Sequence, residues 1–250
     1  MKLEDRHSLI LDQLVQNRQV SVGEISESLG VSQVTIRSDL NSLAEQGLIT
    51  RSHGGATPAF HRSIMTRRHH KKESKNHIAK AAANLINHGD TVMIDAGTTT
   101  ALIAKYMVGK RDVRVVTNNL LILPYLRSIP SIHLTLVGGE YSKETESLVG
   151  PIALKSLEEF NVNLAFIGTD GFSIEHGTST HIVEGAEVVR KIHQQASKTI
   201  LVCDSSKVDK KGFAKILPID SLHHIISDKE LPSNIQQQIK KLNIELTLVE

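Results

Sequence analysis

Two groups of side chains stand at spacings that suit recognition chemistry. The first is Val34, Arg37, Ser38 and Asn41, which share one face of a helix at about 100° per residue, while Ile36, Leu40 and Leu43 share the other. An outward guanidinium, hydroxyl, amide and methyl-bearing side chain are groups that read base edges in a major groove. The second is Asp95-Ala-Gly-Thr-Thr-Thr100. There Gly97 lets the backbone approach a ligand closely and the threonines supply hydroxyls. The helix after them directs free N–H groups and its positive dipole end into the site. This is chemistry for an anion, most simply a phosphate. It is neither a Walker loop nor a dinucleotide fingerprint, because the required Gly spacings and the Gly-Lys-Ser are absent. Each stretch taken alone has a plainer reading: an amphipathic helix with a solvated face, and a Thr-rich turn capping a helix.

The elements around the first group favour the sharper reading. Ser32 is placed to cap the helix that begins at Gln33. Before it, Val22, Ile25 and Leu29 have helical spacing from the cap Ser21 to Gly30, and Gly30-Val31 makes a very short turn. Two short helices joined through a Gly turn are a helix-turn-helix, with the second helix as reader. Ile10, Leu14 and Val15 supply a first helix to complete a three-helix core. Gly47 ends the reader helix. Leu48-Ile-Thr-Arg51 reads as a strand and His53-Gly-Gly55 as a tight turn, which suggests a winged helix.

The second group lies in a longer alternating segment. After a helical pattern with Ile78, Ala82, Leu85 and Ile86 on one side come seven apolar runs: Val92–Ile94, Val113–Val116, Leu134–Val137, Leu164–Ile167, Ile200–Cys203, Ile225–Ile226 and Leu246–Val249. Continuous apolar runs separated by helices indicate a parallel sheet buried on both faces. Several runs end in Gly, Thr, Ser, Asn, Asp or Lys, and ligands in open α/β sheets bind outside the carboxyl ends of the strands. The expected fold class is therefore α/β: an N-terminal winged helix-turn-helix plus a larger Rossmann-like α/β domain. The boundaries read as 1–56 for the first domain, 57–72 for a basic linker without clear periodicity, and 73–250 for the second.

The 250 residues suffice for one small and one medium domain, and 40% hydrophobic content suffices for a core. The net charge of +2 excludes a general polycation. Charge is local instead: from Arg51 to Lys75, seven basic residues against Glu73 alone give +6, with four histidines besides. Such a run suits phosphate contact and is equally compatible with a solvated linker. Cys203 is the only cysteine and lies in an apolar run, which points to a packing residue and a reducing cytoplasm. No signal-peptide core and no membrane-length apolar run is present. Among 13 histidines, His69-His70 and His223-His224 are adjacent pairs that diverge on regular structure, and none has the i, i+4 His-Glu spacing of a zinc helix. No metal and no cofactor are expected.

The chain resembles the DeoR family of sugar-metabolism regulators. Arg6, Ile10, Leu14, Ser32, Thr35, Ile36, Arg37, Asp39 and Leu40 stand at the spacing of its helix-turn-helix signature, and Gly47-Leu-Ile-Thr-Arg51 with His53-Gly-Gly-Ala56 match its wing. Ser38 departs from the family, which more often has Arg, Lys, Asn or Gln there, and this bears on the operator sequence read. Asp95-Ala-Gly-Thr-Thr, Thr117-Asn-Asn, Gly138-Gly, Ser147-Leu-Val-Gly150, Phe166-Ile-Gly-Thr-Asp-Gly171 and Asp204-Ser-Ser-Lys207 match its sensor domain in order. The resemblance covers nearly the whole chain. It implies a sensor similar in fold to ribose-5-phosphate isomerase and a response to phosphorylated sugars. Gly177-Thr-Ser-Thr-His181 and Lys211–Pro218 look most like the branch repressing galactitol and N-acetylgalactosamine pathways, which favours tagatose- or galactosamine-type phosphates.

The same resemblance implies a repressor of a sugar or sugar-alcohol catabolic operon, bound to double-stranded operator DNA and released by a phosphorylated sugar. The residues expected at DNA are Ser32, Gln33, Val34, Thr35, Arg37, Ser38, Asn41, Arg51 and His53. Those expected around the effector are Asp95, Gly97, Thr98, Thr99, Thr100, Asn118, Gly138, Asp170, Gly171, Thr180, His181 and Lys207. Lys207 could equally pair with Asp204 or Asp170 as a structural bridge. Symmetric half-sites imply a homo-oligomer, dimer or tetramer, in the bacterial cytoplasm on the nucleoid, without a membrane. The competing function is a sugar-phosphate isomerase- or deaminase-like enzyme with a DNA-binding appendage. It would need a carboxylate base over the substrate carbon, for which Asp170, Glu184 and Glu187 are candidates.

Overall fold

Ile10, Leu11 and Leu14 recur at helical spacing and are almost fully buried on the first helix, α1 (Leu3–Asn17). A computed structural model of the chain describes residues 3–17, 19–45, 48–52 and 54–250. It resolves into two units: Met1–His70 with Lys143–Thr145, and Lys71–Ser142 with Glu146–Glu250. The expectations placed on Gly47 and His53 fall outside the described residues, as does the side chain of Val15.

In the first unit α1 is followed by β1 (Val20–Ser21), α2 (Val22–Leu29), α3 (Gln33–Glu45), β2 (Ile49–Ser52), β3 (Gly55–Pro58) and α4 (Arg62–His69). Ser21 caps α2 in a reciprocal box: its hydroxyl accepts from the Glu24 N–H, and the Glu24 carboxylate accepts from the Ser21 N–H at 2.7 Å. Gly30 ends α2 in the left-handed region at φ 62, a conformation that glycine adopts without steric cost. Ile36, Leu40 and Leu43 of α3 meet Ile10, Leu11, Leu14, Val22 and Ile25 in one core, to which β2 and β3 add Ile49 and Ala56. The three strands pair antiparallel in the order β1-β3-β2. Gly55 runs so close to β1 that a Cβ there would collide with the Val20 carbonyl.

The segment expected to be a linker is folded instead. It holds the end of β3 and the helix α4, whose Ile64 and Met65 are buried. Met65 joins the same core as α1–α3. Two adjacent apolar residues set no helical period, and the basic residues around them gave the stretch its linker look. The unit boundary falls at His70/Lys71 rather than at 56 or 72.

The second unit begins with α5 (Lys72–Asn84), β4 (Thr91–Ile94), α6 (Thr98–Lys105) and β5 (Val113–Thr117). A 3₁₀ turn then enters the short α7 (Leu123–Leu126), followed by β6 (Ile132–Leu136), β7 (Glu140–Ser142), β8 (Ser147–Val149), α8 (Pro151–Glu158) and β9 (Val162–Ile167). The rest comprises β10 (Gly171–Ser173), β11 (Gly177–Thr180), α9 (Val183–Gln194), β12 (Ala196–Val202), β13 (Ala214–Lys215), β14 (His224–Asp228), α10 (Ser233–Lys241) and β15 (Glu245–Val249). Seven strands form one parallel sheet in the order β15-β14-β12-β9-β4-β5-β6. They are the seven apolar runs of the sequence.

Alternation explains why those runs are continuous. Val92 and Ile94 of β4, Phe166 of β9, and Ile200 and Val202 of β12 pack under α5, α6 and α7. Met93, Ala165, Ile167, Leu201 and Cys203 pack on the opposite face under α8, α9 and α10. Covered faces make the central strand positions apolar, while the edge strands β6 and β15 keep exposed positions such as His133 and Glu245. Two antiparallel additions carry no such run: the β7–β8 hairpin, and a small sheet in the order β10-β11-β13.

Candidate functional site

The first candidate surface is the outer face of α3. The Ser32 hydroxyl accepts from the Thr35 N–H at 3.2 Å, which caps the helix as the sequence suggests. Gln33, Val34, Arg37, Ser38 and Asn41 are all exposed, as is Arg51 on β2, while Thr35 is half-buried. Val34 is 74% exposed, a large apolar side chain left open to solvent. Arg37 reaches back to the Gln33 amide oxygen at 3.3 Å. The helix is held from behind by a bidentate pair: Arg6 Nε and Nη2 donate to the two oxygens of Asp39 at 2.5 and 2.9 Å, and Asp39 is 3% exposed. That hydrogen bond to Asp39 pushes the Arg6 pKa up from its ordinary value. Sequence reasoning noted both residues but gave them no task. Their task is to tie α1 to the buried side of α3 and leave the other side free.

The basic run C-terminal to this surface is largely engaged. Arg67 donates to the Ser63 carbonyl and, at 3.0 Å, to the Glu144 carbonyl. Arg68 lies 4.4 Å from the centroid of the Phe60 ring. Lys71 donates to Glu230 at 2.7 Å and to the Ser205 hydroxyl at 2.9 Å, with Asp228 at 3.6 Å. These cations support folded structure, in place of the solvated run that the sequence suggested.

The second candidate surface lies at the carboxyl ends of the parallel strands. From β4 the chain winds to β5 and β6 on one side, then returns to place β9, β12, β14 and β15 on the other. Strand order therefore reverses between β4 and β9, the position where α/β sheets open a crevice. The loop Asp95–Gly97 leaves β4 there, and Gly168–Asp170 leaves β9 beside it, with the Gly168 N–H 3.4 Å from Asp95 Oδ2. Gly97 precedes α6 without a side-chain cap, and among the described residues nothing accepts from the amides of Thr98, Thr99 and Thr100. These free donors sit at a positive helix end, with the hydroxyls of Thr98 and Thr99 half-buried beside them.

The other expected effector residues divide into wall and support. Asp170 accepts from the Thr180 hydroxyl at 2.8 Å and from the His181 N–H at 3.1 Å, so these three form one group beside Gly168. Lys207 ends a 3₁₀ turn after β12, half-buried, with no ion pair from its ammonium among the described residues. The bridge to Asp204 or Asp170 left open by the sequence is not formed. Gly138 is exposed beyond the end of β6.

Asp95, Thr100 and Asn118 are instead 5%, 0% and 1% exposed, beneath the surface. Thr100 gives its hydroxyl proton to the Gly97 carbonyl at 3.0 Å, and Asn118 gives its amide to the Leu148 carbonyl at 3.2 Å. Gly171 is buried within β10, where a Cβ would collide with the Lys210 carbonyl. Burial pushes the Asp95 carboxyl up to about 7, partly offset by the Gly168 and Ala96 N–H groups and reinforced by Asp170.

One residue that the Thr117-Asn-Asn motif contained without a task is Asn119, fully buried just after β5. Its Nδ2 lies 3.1 Å from the Asp95 carbonyl, 3.2 Å from the Gly97 carbonyl and 3.4 Å from the Thr100 hydroxyl. Its Oδ1 accepts from the Leu121 N–H. Glu184 and Glu187, considered as bases for an isomerase, are exposed on α9. A cavity of about 420 Å³ elsewhere, lined by residues such as His176, Lys215, Leu217 and Leu242, includes none of the expected effector residues. Among the described residues no three His, Cys, Asp or Glu side chains gather as metal ligands, and no described helix is long and apolar enough to cross a membrane.

A winged helix-turn-helix with an open reader face, followed by a parallel α/β unit, defines a DNA-binding transcriptional regulator with a sensor domain. Comparison with known proteins makes this specific. The family model described as the DeoR-like helix-turn-helix domain matches residues 6–59, and the one described as the DeoR C terminal sensor domain matches residues 70–229. The chain belongs to the DeoR family of transcriptional repressors. It is 33% identical to a putative aga operon transcriptional repressor of Escherichia coli O157:H7, over 98% of this chain and 93% of that one. It is 34% identical to the HTH-type transcriptional repressor GlcR of Bacillus subtilis (strain 168), over 100% and 98%. It is 31% identical to the glycerol-3-phosphate regulon repressor of Escherichia coli (strain K12), over 99% and 100%. A ribose 5-phosphate isomerase from Plasmodium falciparum aligns with a TM-score of 0.40 at 16% identity, over 56% of this chain and 55% of that one.

Proposed function

We propose that this repressor controls a sugar or sugar-alcohol catabolic operon and leaves its operator when a phosphorylated sugar occupies the crevice between β4 and β9. The observation that carries the proposal is the set of free amides at Thr98–Thr100, at the N-terminus of α6 and at the strand-order reversal. The half-buried Lys207 adds a cation. Asp170, Thr180 and His181 offer acceptors and donors of the kind that bind hydroxyls. A relative named for a glycerol-3-phosphate regulon supports a phosphorylated, hydroxyl-bearing effector. Tagatose- and galactosamine-type phosphates head the panel to test. A symmetric homo-oligomer, dimer or tetramer, reading two half-sites with Arg37, Asn41 and Val34 completes the proposal.

The test is an operator-binding titration with and without sugar phosphates preselected by thermal shift. Effector should release the wild type. The Thr98→Ala, Thr99→Ala double variant loses two hydroxyl donors to a charged group, each worth about 1.5–3 kcal/mol. It should bind operator normally and ignore effector concentrations that release the wild type. Normal release of the double variant rules out this loop as the phosphate site, and tighter wild-type binding with effector reverses the sign of regulation.

A further inference from the structure

A helix N-terminus offers its amides to an anion only if the loop before it is held with its carbonyl oxygens turned away. The loop Asp95–Gly97 has no internal device for this. Gly97 brings no side chain, and among the described residues no side chain of the loop bonds its carbonyl groups. The Thr100 hydroxyl and the Ala101 N–H reach one of them, that of Gly97, from within the helix at 3.0 and 3.1 Å. The remaining hold comes from a different strand. Asn119 places its Nδ2 against the carbonyls of both Asp95 and Gly97, and against the Thr100 hydroxyl as well. Its own position is fixed twice over: its N–H donates to the Thr117 hydroxyl at 3.0 Å and its Oδ1 accepts from Leu121. Thr117 in turn donates to the Ile94 carbonyl. The end of β5 is thus sewn to the end of β4 by polar contacts from both Thr117 and Asn119.

We infer that Asn119 is the positioning residue of the anion loop. It never touches the ligand. It sets which way the peptide groups of Asp95–Gly97 face, and so aims the Thr98–Thr100 amides into the crevice. Only a short side chain with two N–H donors and one acceptor can serve the two carbonyls, the hydroxyl and Leu121 from this place. Aspartate has the right shape but no donor, and would set a negative charge against two carbonyl oxygens beneath an anion site. The inference rests on the proposed crevice, and the experiment separates the two.

The experiment titrates the full-length protein with inorganic phosphate at constant ionic strength, following the backbone amide signals of Gly97, Thr98 and Thr99 by NMR. Four proteins are compared: wild type, Asn119→Ala, Thr98→Ala/Thr99→Ala, and all three changes together. Asn119→Ala should melt cooperatively, bind operator without ligand like the wild type, and bind phosphate about tenfold more weakly, the worth of a single net hydrogen bond. The threonine changes should then cost little more in the Asn119→Ala background, because both act through one loop geometry. A residue that only stabilised the fold would give additive losses. If Asn119→Ala does not fold, Asn119→Ser, which retains one donor and one acceptor, enters the same cycle. Unchanged phosphate affinity in the Asn119 variant, or strict additivity, overturns the inference. No saturable phosphate response in the wild type overturns the crevice itself.

Discussion

Replacing Asp95 with Asn should stabilise the sensor unit at alkaline pH and do much less at acid pH. Asp95 is 5% exposed, and burial raises its carboxyl from an ordinary 3.8 to about 7. A raised carboxyl pKa means that ionisation costs more in the folded than in the unfolded chain. Below 3.8 both states are protonated and the cost is absent. It grows through the interval between the two values and is complete above about 7. Its full size is about 4 kcal/mol, at 1.36 kcal/mol per pH unit of separation. At pH 5 it is about 1.7 kcal/mol by the same linkage. Asparagine remains neutral throughout and keeps an oxygen to accept from the Gly168 and Ala96 amides. The gap between Asp95→Asn and wild type should therefore widen by about 2.5 kcal/mol between pH 5 and pH 8.

His193 and His224, whose burial lowers their pKa, are common to both proteins and cancel in the difference. The chain has no Trp, and its three tyrosines, Tyr106, Tyr125 and Tyr141, all lie in the sensor unit. Urea unfolding followed by tyrosine fluorescence thus reports that unit alone. An equal gap at both pH values, or a gap that narrows toward pH 8, refutes the argument.

Three further outcomes are expected. Arg37→Ala should cost about 1–3 kcal/mol of specific operator binding if the guanidinium makes a bidentate base contact, with no loss of stability because Arg37 is exposed; wild-type selectivity in a footprinting titration moves the reading face elsewhere. Met65→Ala should destabilise the DNA-binding unit by about 2–5 kcal/mol as a core truncation, whereas a residue in a linker would cost nothing in a denaturation curve. Gly30→Ala should cost about 1–2 kcal/mol through its left-handed φ alone, since the space around a Cβ there is empty; an unchanged melting midpoint contradicts it.

The parts of the fold that were legible in the sequence are those with a periodic signal. The seven strands of the parallel sheet stand out because burial of the central strands leaves apolar runs such as Val92–Ile94 and Ile200–Val202. The edge strands β6 and β15 keep enough of that pattern despite Thr135 and Thr247. The helix-turn-helix stands out because Ser21, Gly30 and Ser32 punctuate it with cap chemistry. The small sheet of β10, β11 and β13 does not. Its strands read Gly-Phe-Ser, Gly-Thr-Ser-Thr and Ala-Lys, too short and too small-residued for a period of two to show. The helix α4 was lost for a related reason. Ile64 and Met65 are neighbours on one buried edge, and a single edge contact among Arg67, Arg68 and His69 carries no period at all.

The candidate crevice divides along the same physical line. Thr98, Thr99 and Lys207 could be named as candidates from type and place, beside the plainer readings of a helix cap and a structural bridge. Residues that hold those groups in position could not. Asn119 has its meaning only once β5 is known to lie beside β4, since its three partners lie 19 to 24 residues upstream in the chain. Asp95 shows the converse. Its type suggested a ligand contact, yet adjacency to β9 buries it against Gly168 and raises its carboxyl to about 7. Residue type therefore points to such a crevice, while strand order decides which of its polar residues open into it and which only hold the others still.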